Sequence, residues 1–341
     1  MQTKVAINGF GRIGRAFFKA AKDNPQIDIV AINDLGDVEN LAYLLKYDTA
    51  YGKTDFEIKT EKDFLIIDGK RIKFLQEKDP SKLPWWTLGI DIVVESTGFF
   101  ASYAKSKAHL DAGAKRVVIS APVKDNPSDA GIAGATILMG VNDDNLKTCD
   151  ISSNASCTTN AGSPVISILN DEIGIKQAML NTVHGYTATQ AIVDSPNKKD
   201  FRRGRAAAAN IIPSTTGAAI ATTKAITELE GNFDGIAMRI PILVGSIVDV
   251  TFVSKRDTTV EEVNEILKNA AKEDKWKNIF SVNEEQIVSS DIIGSKYASI
   301  ADLSFTRVVG GNLVKVLSWY DNETGYVNAL LQHVIKSGSH I

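Results

Sequence analysis

The chain has 341 residues, which corresponds to about two domains of roughly 150 residues each and suffices to bury a substantial core. Hydrophobic residues make up 44% and charged residues 23%, and the formal net charge is −3, which argues against extensive disorder and against general attraction to nucleic acid or anionic membranes. The first residues lack a signal peptide's apolar core, no run of about 18 apolar residues occurs, and the two cysteines favour a reducing cytoplasm.

The first half of the chain alternates short apolar runs with helical stretches. Residues 4–8 and 27–33 are predicted strands, and residues 13–22 form a predicted helix between them. This βαβ unit implies parallel pairing with a right-handed crossover. Further strands, the first two forming a hairpin, are predicted at residues 64–67, 71–75, 90–95, 116–120 and 135–139. A doubly wound, mostly parallel α/β sheet is the economical interpretation.

The pattern changes after about residue 150. Strands are predicted at residues 177–182, 235–240, 247–254 and 313–320, and helices at residues 160–172, 213–229, 260–272 and 323–336. Long strands mixed with helices are typical of an α+β domain with a largely antiparallel sheet.

Residues 9–14 match the pattern G-x-G-x-x-G with Gly9, Gly11 and Gly14, directly after a predicted strand and before a helix. The glycines allow a tight turn, close approach of the backbone to a pyrophosphate and close helix–strand packing, and the helix N-terminus favours the phosphates. Asp34 ends the next strand, where a carboxylate accepts hydrogen bonds from ribose hydroxyls and repels a 2′-phosphate. The motif therefore predicts a dinucleotide site that prefers NAD to NADP; the alternative is a glycine-rich turn beside a surface aspartate.

Cys157 lies in a run of Ser, Asn and Thr residues at 153–160, just before an apolar helical stretch. Such residues cap helices, and a position near a helix N-terminus lowers the pKa of a thiol and favours the reactive thiolate. A buried structural cysteine is the alternative, and Cys149 is interpreted in that way. Among the four histidines, His184 ends a predicted strand and is the candidate base for the thiol.

Positive charge is concentrated at residues 198–205 in an otherwise acidic chain. This cluster is either a solvated loop or subunit contact, or an anion site, because guanidinium groups bind phosphate through two hydrogen bonds. Residues 214–217 precede an Ala-rich helix, which is a second candidate anion site. Arg239 ends a predicted strand, and a buried arginine there requires an anionic partner. No metal site is predicted.

In order along nearly the whole chain, the residues resemble those of glyceraldehyde-3-phosphate dehydrogenases. The most specific segment is Ser-Cys-Thr-Thr-Asn at 156–160, and the segment at 184–187 adds the histidine. The resemblance implies that Cys157 and His184 are catalytic. It implies dinucleotide contacts from Arg12, Ile13, Asp34, Lys78, Ser120 and Asn322. It implies that phosphate is bound by Ser156, Thr158, Thr187, Arg203, Thr216, Gly217 and Arg239.

The resemblance also implies the reaction and the domain organisation. Glyceraldehyde 3-phosphate and inorganic phosphate would be converted to an acyl phosphate through a thiohemiacetal and a thioester on Cys157, with reduction of NAD. Residues 1–155 are expected to form the dinucleotide-binding domain, with a C-terminal helix at 321–338 packing on it, and residues 156–320 the catalytic domain. A cytoplasmic homotetramer that requires neither nucleic acid nor membrane is expected.

Two alternatives use the same scaffold. One is an erythrose-4-phosphate dehydrogenase-like enzyme, or an aldehyde oxidation that ends in hydrolysis, and phosphate dependence of NADH formation would distinguish it. The other is a catalytically idle nucleotide- or RNA-binding protein, which the net charge and the Cys157–His184 pair oppose.

Overall fold

The computed structural model describes residues 2–341. The chain divides into two compact units, each with its own core. The first unit comprises the chain up to Ile137 together with Asn142–Ala155 and Leu330–Ile341; the second comprises Leu138–Val141 and Ser156–Ala329. Within the described residues, no helix has both the length and the apolar character needed to cross a membrane.

The strands and helices follow the chain in this order. The strands are β1 (Thr3–Asn8), β2 (Ile27–Asn33), β3 (Tyr47–Asp48), β4 (Gly52–Lys53), β5 (Ile58–Glu61), β6 (Phe64–Ile67), β7 (Lys70–Leu75), β8 (Ile92–Glu95), β9 (Arg116–Ile119), β10 (Gly134–Thr136), β11 (Ile151–Ser153), β12 (Ile175–Gly185), β13 (Ile212–Thr215), β14 (Phe233–Ile240), β15 (Ser246–Ser254), β16 (Phe280–Asn283), β17 (Ser299–Val309) and β18 (Leu313–Tyr320). The helices are α1 (Arg12–Ala21), α2 (Val38–Lys46), α3 (Trp85–Leu88), α4 (Tyr103–Asp111), α5 (Cys157–Ile173), α6 (Ala218–Thr223), α7 (Val260–Ala270) and α8 (Thr324–Gly338).

The first unit is built on a sheet of order β10-β11-β9-β8-β1-β2-β7-β6-β5. Its neighbouring strands are parallel except in the β5–β6 and β6–β7 pairs. The chain runs from β1 to β2 on one side and later returns to β8 on the other side of β1, so the strand order switches between β1 and β8. Open α/β sheets bind ligands outside the carboxyl ends of their strands at such a point. Asn8 and Glu95, the last residues of these two strands, are register partners there.

Helix α1 starts immediately after the glycine-rich turn that follows β1. Phe17, Phe18 and Ala21 are buried on one side of it, which anchors the helix to the first unit. No acidic residue and no side-chain cap occupies its first turn. The start of the helix therefore carries no negative charge of its own and favours an anion at the carboxyl edge of the sheet.

The second unit is built on a sheet of order β13-β14-β12-β15-β18-β17-β16, whose pairs are antiparallel except β12–β14 and β16–β17. Leu180, Val250 and Val316 are register partners on adjacent strands and belong to the same buried core as helix α5. Because side chains alternate along a strand, His184 lies on the same face of β12 as Leu180. The helix that begins with Cys157 thus covers the sheet face that carries His184.

These two sheets confirm the predicted fold class, a doubly wound, mostly parallel first sheet and a largely antiparallel second one. The predicted helix over 213–229 is wrong in its first part. Residues Ile212–Thr215 form an edge strand with alternating burial. Pro213 is tolerated there because an edge strand has no sheet partner on one side that would require a backbone N–H. Strand Ser299–Val309 was not predicted, because its first five residues are all buried and so lack a two-residue alternation.

Candidate functional site

A cavity of about 400 Å³ opens at the switch point of the first sheet. It is lined by Asn8, Gly9, Gly11, Asn33, Asp34, Leu35, Glu77, Lys78, Pro80, Ser96, Thr97, Phe99 and Phe100. Gly9 has φ +95°, and a Cβ there would lie 2.6 Å from the backbone nitrogen of Thr97. A Cβ on Gly14 would lie 2.1 Å from the carbonyl oxygen of Gly9, whereas one on Gly11 would meet nothing within 4 Å. Two glycines are thus required by the turn itself, and Gly11 keeps the cavity open.

Asp34 ties the glycine-rich turn to the end of β2. One of its carboxylate oxygens accepts the backbone N–H of Phe10 at 2.6 Å, and the other accepts that of Gly36 at 2.8 Å. Each carboxylate oxygen can accept more than one hydrogen bond. The carboxylate therefore retains acceptor capacity toward hydroxyl groups in the cavity that it lines.

A buried network underlies this cavity. Glu95, 1% exposed, accepts hydrogen bonds from Asn8 Nδ2 at 2.5 Å and from the backbone N–H of Thr97 at 2.8 Å, and it contacts His109 Nε2 at 3.1 Å. Asn8 in turn accepts a hydrogen bond from Asn33 Nδ2 at 2.7 Å. The chain of contacts links the carboxyl ends of β8, β1 and β2. Glu95 was not among the predicted site residues; the only sign of its role in the sequence is its position at the end of a predicted strand.

The other predicted dinucleotide residues occupy different settings. Lys78 lines the cavity, whereas the guanidinium of Arg12 forms an ion pair with Asp48 at 3.3 Å. Ile13 is half-buried in α1, and the backbone N–H of Ser120 bonds to the carbonyl of Glu95 at 2.8 Å. Asn322 belongs to the second unit, where its Oδ1 accepts a hydrogen bond from the Ser246 hydroxyl at 2.9 Å.

Cys157 and His184 come together in the second unit. Cys157 is the first residue of α5, and its Sγ lies 3.3 Å from Nε2 of His184 on β12. Ser156 caps the helix by accepting the backbone N–H of Thr159 at 3.1 Å. Two residues 27 positions apart are thus within hydrogen-bonding distance, as a thiol and its base require.

Burial dominates the electrostatics of this pair. It raises the pKa of the Cys157 thiol, against the smaller opposing effects of the Arg239 charge and of the N–H groups at the start of α5. It also lowers the pKa of His184 to about 3, aided by the Arg239 charge. The helix N-terminus acts in the predicted direction, but burial outweighs it.

Arg239 is the register partner of His184 on the adjacent parallel strand β14. One of its guanidinium nitrogens lies 2.6 Å from His184 Nδ1 and 3.2 Å from the carbonyl oxygen of Gly185. Within residues 2–341 no carboxylate pairs with Arg239, and its buried Nε has no hydrogen-bond partner. The predicted need of this arginine for an anionic partner is therefore unmet by the protein itself.

Polar groups surround the Cys157 end of α5. The buried hydroxyl of Tyr320 joins Thr158 Oγ1 at 2.9 Å to Thr182 Oγ1 at 2.8 Å, and its ring packs edge-on against His184 with centroids 5.8 Å apart. Tyr320 therefore holds the Thr158 hydroxyl with its own hydroxyl and the His184 imidazole with its ring. Sequence reasoning missed this residue, because a tyrosine at the end of a strand carries no local sign of its partners.

Two of the five basic residues at 198–205 pair with carboxylates. Arg202 bonds to Asp200 and Arg205 to Asp194. Arg203 instead reaches the carbonyl of Thr215 at 3.5 Å and leaves its buried Nε without a partner. Burial lowers the pKa of Arg239, and the charge of Arg203 acts in the same direction to a smaller extent. Two arginines without carboxylate partners are thus close enough to repel, which favours an anion beside them.

The remaining predicted phosphate ligands lie in loops of the same unit. Thr216 Oγ1 accepts the backbone N–H of Ala218 at 3.2 Å, and Gly217 precedes α6 at a point where an added Cβ would meet nothing within 4 Å. Thr187 bonds through its N–H to Gln190 Oε1 at 2.9 Å and lies three residues after His184.

A glycine-rich turn at the switch point of a parallel sheet, combined with a thiol–imidazole pair at the start of a helix in a second unit, defines a class of dinucleotide-dependent dehydrogenases that use a cysteine. A family model described as the NAD binding domain of glyceraldehyde 3-phosphate dehydrogenase matches residues 3–103, and one described as its C-terminal domain matches residues 156–322.

Individual relatives agree with these matches. The chain is 48% identical to glyceraldehyde-3-phosphate dehydrogenase 1 of Bacillus subtilis, over 99% of this chain and 100% of the relative. It is 50% identical to glyceraldehyde-3-phosphate dehydrogenase of Thermotoga maritima (96% and 97%) and 49% identical to that of Geobacillus stearothermophilus (96% and 95%). The chain belongs to the glyceraldehyde-3-phosphate dehydrogenase family. The predicted resemblance and the predicted NAD cofactor are thereby confirmed.

Proposed function

We propose that this protein oxidises glyceraldehyde 3-phosphate to 1,3-bisphosphoglycerate with reduction of NAD, in glycolysis and gluconeogenesis. The observation that carries the proposal is the 3.3 Å contact between Cys157 Sγ and His184 Nε2 at the start of α5. A thiol with a base at this distance suits attack on an aldehyde carbon and formation of a covalent intermediate. Family membership supports the same reaction.

The residues of the first unit fit NAD. Gly9 and Gly11 place no side chain between the backbone of the turn and the cavity, and the positive end of the α1 dipole favours a pyrophosphate. Asp34 offers a carboxylate to ribose hydroxyls in the same cavity. When bound, the nicotinamide ring supplies the acceptor for the hydride that leaves the substrate carbon. We propose that the region 1–155, with the C-terminal helix, is the dinucleotide-binding domain and that 156–320 is the catalytic domain.

We propose the following roles for the chain's own residues. His184 takes the proton of Cys157 as the sulfur attacks the aldehyde carbon, and it passes this proton to the aldehyde oxygen to give the thiohemiacetal, which leaves the imidazole neutral again. His184 then receives the proton of that hydroxyl as the carbon is oxidised to a thioester. Inorganic phosphate attacks the thioester carbon, and the Cys157 thiolate leaves.

Two groups of residues are proposed to bind the two phosphates. Thr187 and Arg239 would bind the phosphate of the substrate, because Arg239 has a buried donor without a partner. The attacking phosphate would be bound by Ser156, Thr158, Arg203, Thr216 and Gly217. The buried Nε of Arg203 and that of Arg239 both lack a hydrogen-bond partner, which supports an anion beside each guanidinium group.

The decisive experiment follows NADH absorbance with glyceraldehyde 3-phosphate and NAD, with and without inorganic phosphate. We expect phosphate-dependent NADH formation, and a loss of about 10³-fold or more in kcat for Cys157→Ser. Cys149→Ser is the matched control and should retain activity, since Cys149 is buried and its thiol donates to the Asn145 carbonyl at 3.3 Å. NADH formation that needs no phosphate, or that is faster with erythrose 4-phosphate, would favour the alternative activity. Unchanged turnover in Cys157→Ser would refute the proposed nucleophile.

We also propose a cytoplasmic homotetramer. The face of the second sheet that points away from α5 supports contacts between copies, because large apolar side chains on it are exposed: Met179 58%, Ile236 47%, Val309 64% and Leu313 42%. Exposed apolar patches of this kind are typical of subunit contacts. Met179→Asp should reduce the mass measured by light scattering, whereas an unchanged mass would exclude this face as a contact.

A further inference from the structure

Two loops flank the dinucleotide cavity of the first unit. Strands β1 and β2 lie between β8 and β7 in the sheet, and the loops that follow β8 and β7 both line the cavity. The loop after β8, called the 96–100 wall below, contributes Ser96, Thr97, Phe99 and Phe100. The loop after β7 contributes Glu77, Lys78 and Pro80. The spacing of the two walls therefore depends on what connects them across the ends of β1 and β2.

The wall after β7 is held by two asparagine side chains. Asn33 donates from Nδ2 to the carbonyl oxygen of Glu77 at 2.9 Å and accepts the backbone N–H of Glu77 at its Oδ1, also at 2.9 Å. Nδ2 of Asn33 donates as well to Oδ1 of Asn8 at 2.7 Å. Because the N–H and the carbonyl of Glu77 cannot exchange roles, they set the orientation of both amides. Asn8 therefore presents its Nδ2, a donor, to the residue beyond it.

Glu95 accepts from that donor and joins it to the other wall. Its Oε2 accepts Asn8 Nδ2 at 2.5 Å and lies 3.1 Å from His109 Nε2. Its Oε1 accepts the backbone N–H of Thr97 at 2.8 Å and the Thr97 hydroxyl at 2.5 Å. Oγ1 of Thr97 in turn accepts the backbone N–H of Phe99 at 3.0 Å. A continuous chain of hydrogen bonds thus connects the two walls.

A carboxylate suits position 95, whereas the amide of the same shape does not. A glutamine would place its single oxygen on one side and an NH2 group on the other. If the NH2 group faced Asn8, a donor would meet a donor, and the asparagine is prevented from turning round by its contacts. If it faced Thr97, the backbone N–H there would lose its acceptor. The amide therefore leaves a buried donor unsatisfied in either orientation.

We propose that Glu95 is a positioning residue for NAD, which does not line the cavity but fixes the 96–100 wall against the end of β1 before the cofactor binds. The inference rests on the proposed function, since it takes this cavity as the NAD site. A wall that is already in place removes the entropy loss of ordering the loop from the binding step. The negative charge of Glu95 near an anionic pyrophosphate opposes binding, so the contribution of this residue comes from the geometry of the wall.

Calorimetric titration of NAD into Glu95→Gln separates position from charge. The chain is first stripped of bound nucleotide with charcoal, and no aldehyde is present. We expect the Kd for NAD to rise about tenfold or more, because a buried donor without an acceptor displaces the wall. Charge alone predicts the opposite sign, since glutamine removes a negative charge near the pyrophosphate. Tighter or unchanged binding of NAD therefore overturns the inference.

Glu61→Gln is the matched control for the loss of one carboxylate in the same unit. Glu61 is exposed on β5 and pairs with Arg71, so this variant should bind NAD as wild type does. A tenfold weaker affinity in Glu61→Gln as well would attribute the effect to net charge and refute the role of Glu95.

Steady-state kinetics distinguishes positioning from a general loss of structure. Glu95→Gln should raise the KM for NAD about tenfold or more, while kcat at saturating NAD and the KM for glyceraldehyde 3-phosphate stay within about twofold of wild type. An equal loss in kcat would leave Glu95 a merely structural role and contradict the inference. Failure of the proposed function is distinguishable, because wild type itself would then form no NADH while the NAD titration still reports on Glu95.

Hydrogen exchange followed by mass spectrometry tests the wall in wild type, even if Glu95→Gln does not fold. Without NAD, the peptide that covers residues 96–100 should exchange at least about tenfold more slowly than an unstructured chain, because the N–H groups of Thr97 and Phe99 are already bonded. Exchange at the unstructured rate would mean that NAD itself orders the wall, against the inference. In folded Glu95→Gln this peptide should exchange faster than in wild type, with the β5–β7 peptides unchanged; equal exchange in both chains would also refute it.

Discussion

The indole N–H of Trp85 donates a hydrogen bond to Nδ1 of His109 at 3.0 Å, and this contact determines where the proton of a fully buried imidazole lies. Because Nδ1 accepts, Nε2 carries the proton and donates it to Glu95 at 3.1 Å. The carboxylate beneath the dinucleotide cavity is thus held by neutral donors. Trp85 does not line that cavity, but it is connected to it through His109 and Glu95.

The first prediction concerns this network. His109→Phe removes a donor from buried Glu95 and an acceptor from Trp85, so we expect a loss of about 3 kcal/mol in the free energy of unfolding, measured in urea. Trp85→Phe leaves the Glu95 contact in place and should cost only about 1–2 kcal/mol. An equal loss of unfolding free energy in the two variants would contradict the idea that Trp85 acts on Glu95 only through His109.

The second prediction contrasts two glycines of the same turn. Gly9→Ala places a Cβ 2.6 Å from Thr97 at a positive φ and should destabilise the first unit by about 3 kcal/mol or more. Gly11→Ala meets no protein atom within 4 Å and should leave the unfolding free energy within about 0.5 kcal/mol of wild type. Its methyl group projects where Gly11 lines the cavity, so NAD affinity should fall about tenfold or more by calorimetry. Unchanged affinity in Gly11→Ala would remove this glycine from the binding site.

The third prediction concerns cofactor choice. Asp34→Ala removes the carboxylate that would repel a 2′-phosphate, so the ratio of kcat/KM for NAD to that for NADP should fall about tenfold or more. NAD binding should weaken as well, because Asp34 also anchors the backbone of Phe10 and Gly36. Asp37→Ala is the matched control; Asp37 caps α2 by accepting the backbone N–H of Asn40 at 2.8 Å, and the cofactor ratio should stay the same. No change in the ratio for Asp34→Ala would exclude this carboxylate from the ribose site.

The fourth prediction is a pH dependence of stability. His333 is fully buried between Ser152 and Asn154, and burial lowers its pKa to about 3. The unfolded chain therefore binds one more proton at this residue between pH 3 and its ordinary pKa of about 6.5, so stability is lost as the pH falls through that window. At pH 4.5 this costs about 3 kcal/mol relative to neutral pH.

Urea unfolding from pH 8 to pH 4.5 measures this effect. His333→Gln should lower the unfolding free energy at pH 8 through lost hydrogen bonds. Below about pH 6.5, however, its unfolding free energy should fall less steeply with pH than that of wild type, because one proton fewer is bound on unfolding. Ser152→Ala keeps the imidazole while removing one of its partners, and it should retain the wild-type slope. Parallel pH profiles for His333→Gln and wild type would show that this histidine does not titrate on unfolding.

Short-range patterns determined much of this protein from the sequence alone. The glycines at 9, 11 and 14, the capping residues around Cys157 and the alternation of strands and helices each follow from neighbouring residues, because turns, caps and hydrophobic periodicity are local properties. They predicted the fold class and the positions of the dinucleotide turn and the candidate nucleophile.

Only the tertiary structure decided which distant residues meet. The register of β12 and β14 places Arg239 against His184, and the pairing of β18 with β15 sets the position from which Tyr320 reaches Thr158 and Thr182. Burial then reversed the expected direction of the Cys157 pKa. Strand register and burial depend on packing between segments far apart in the chain, so no local pattern encodes them.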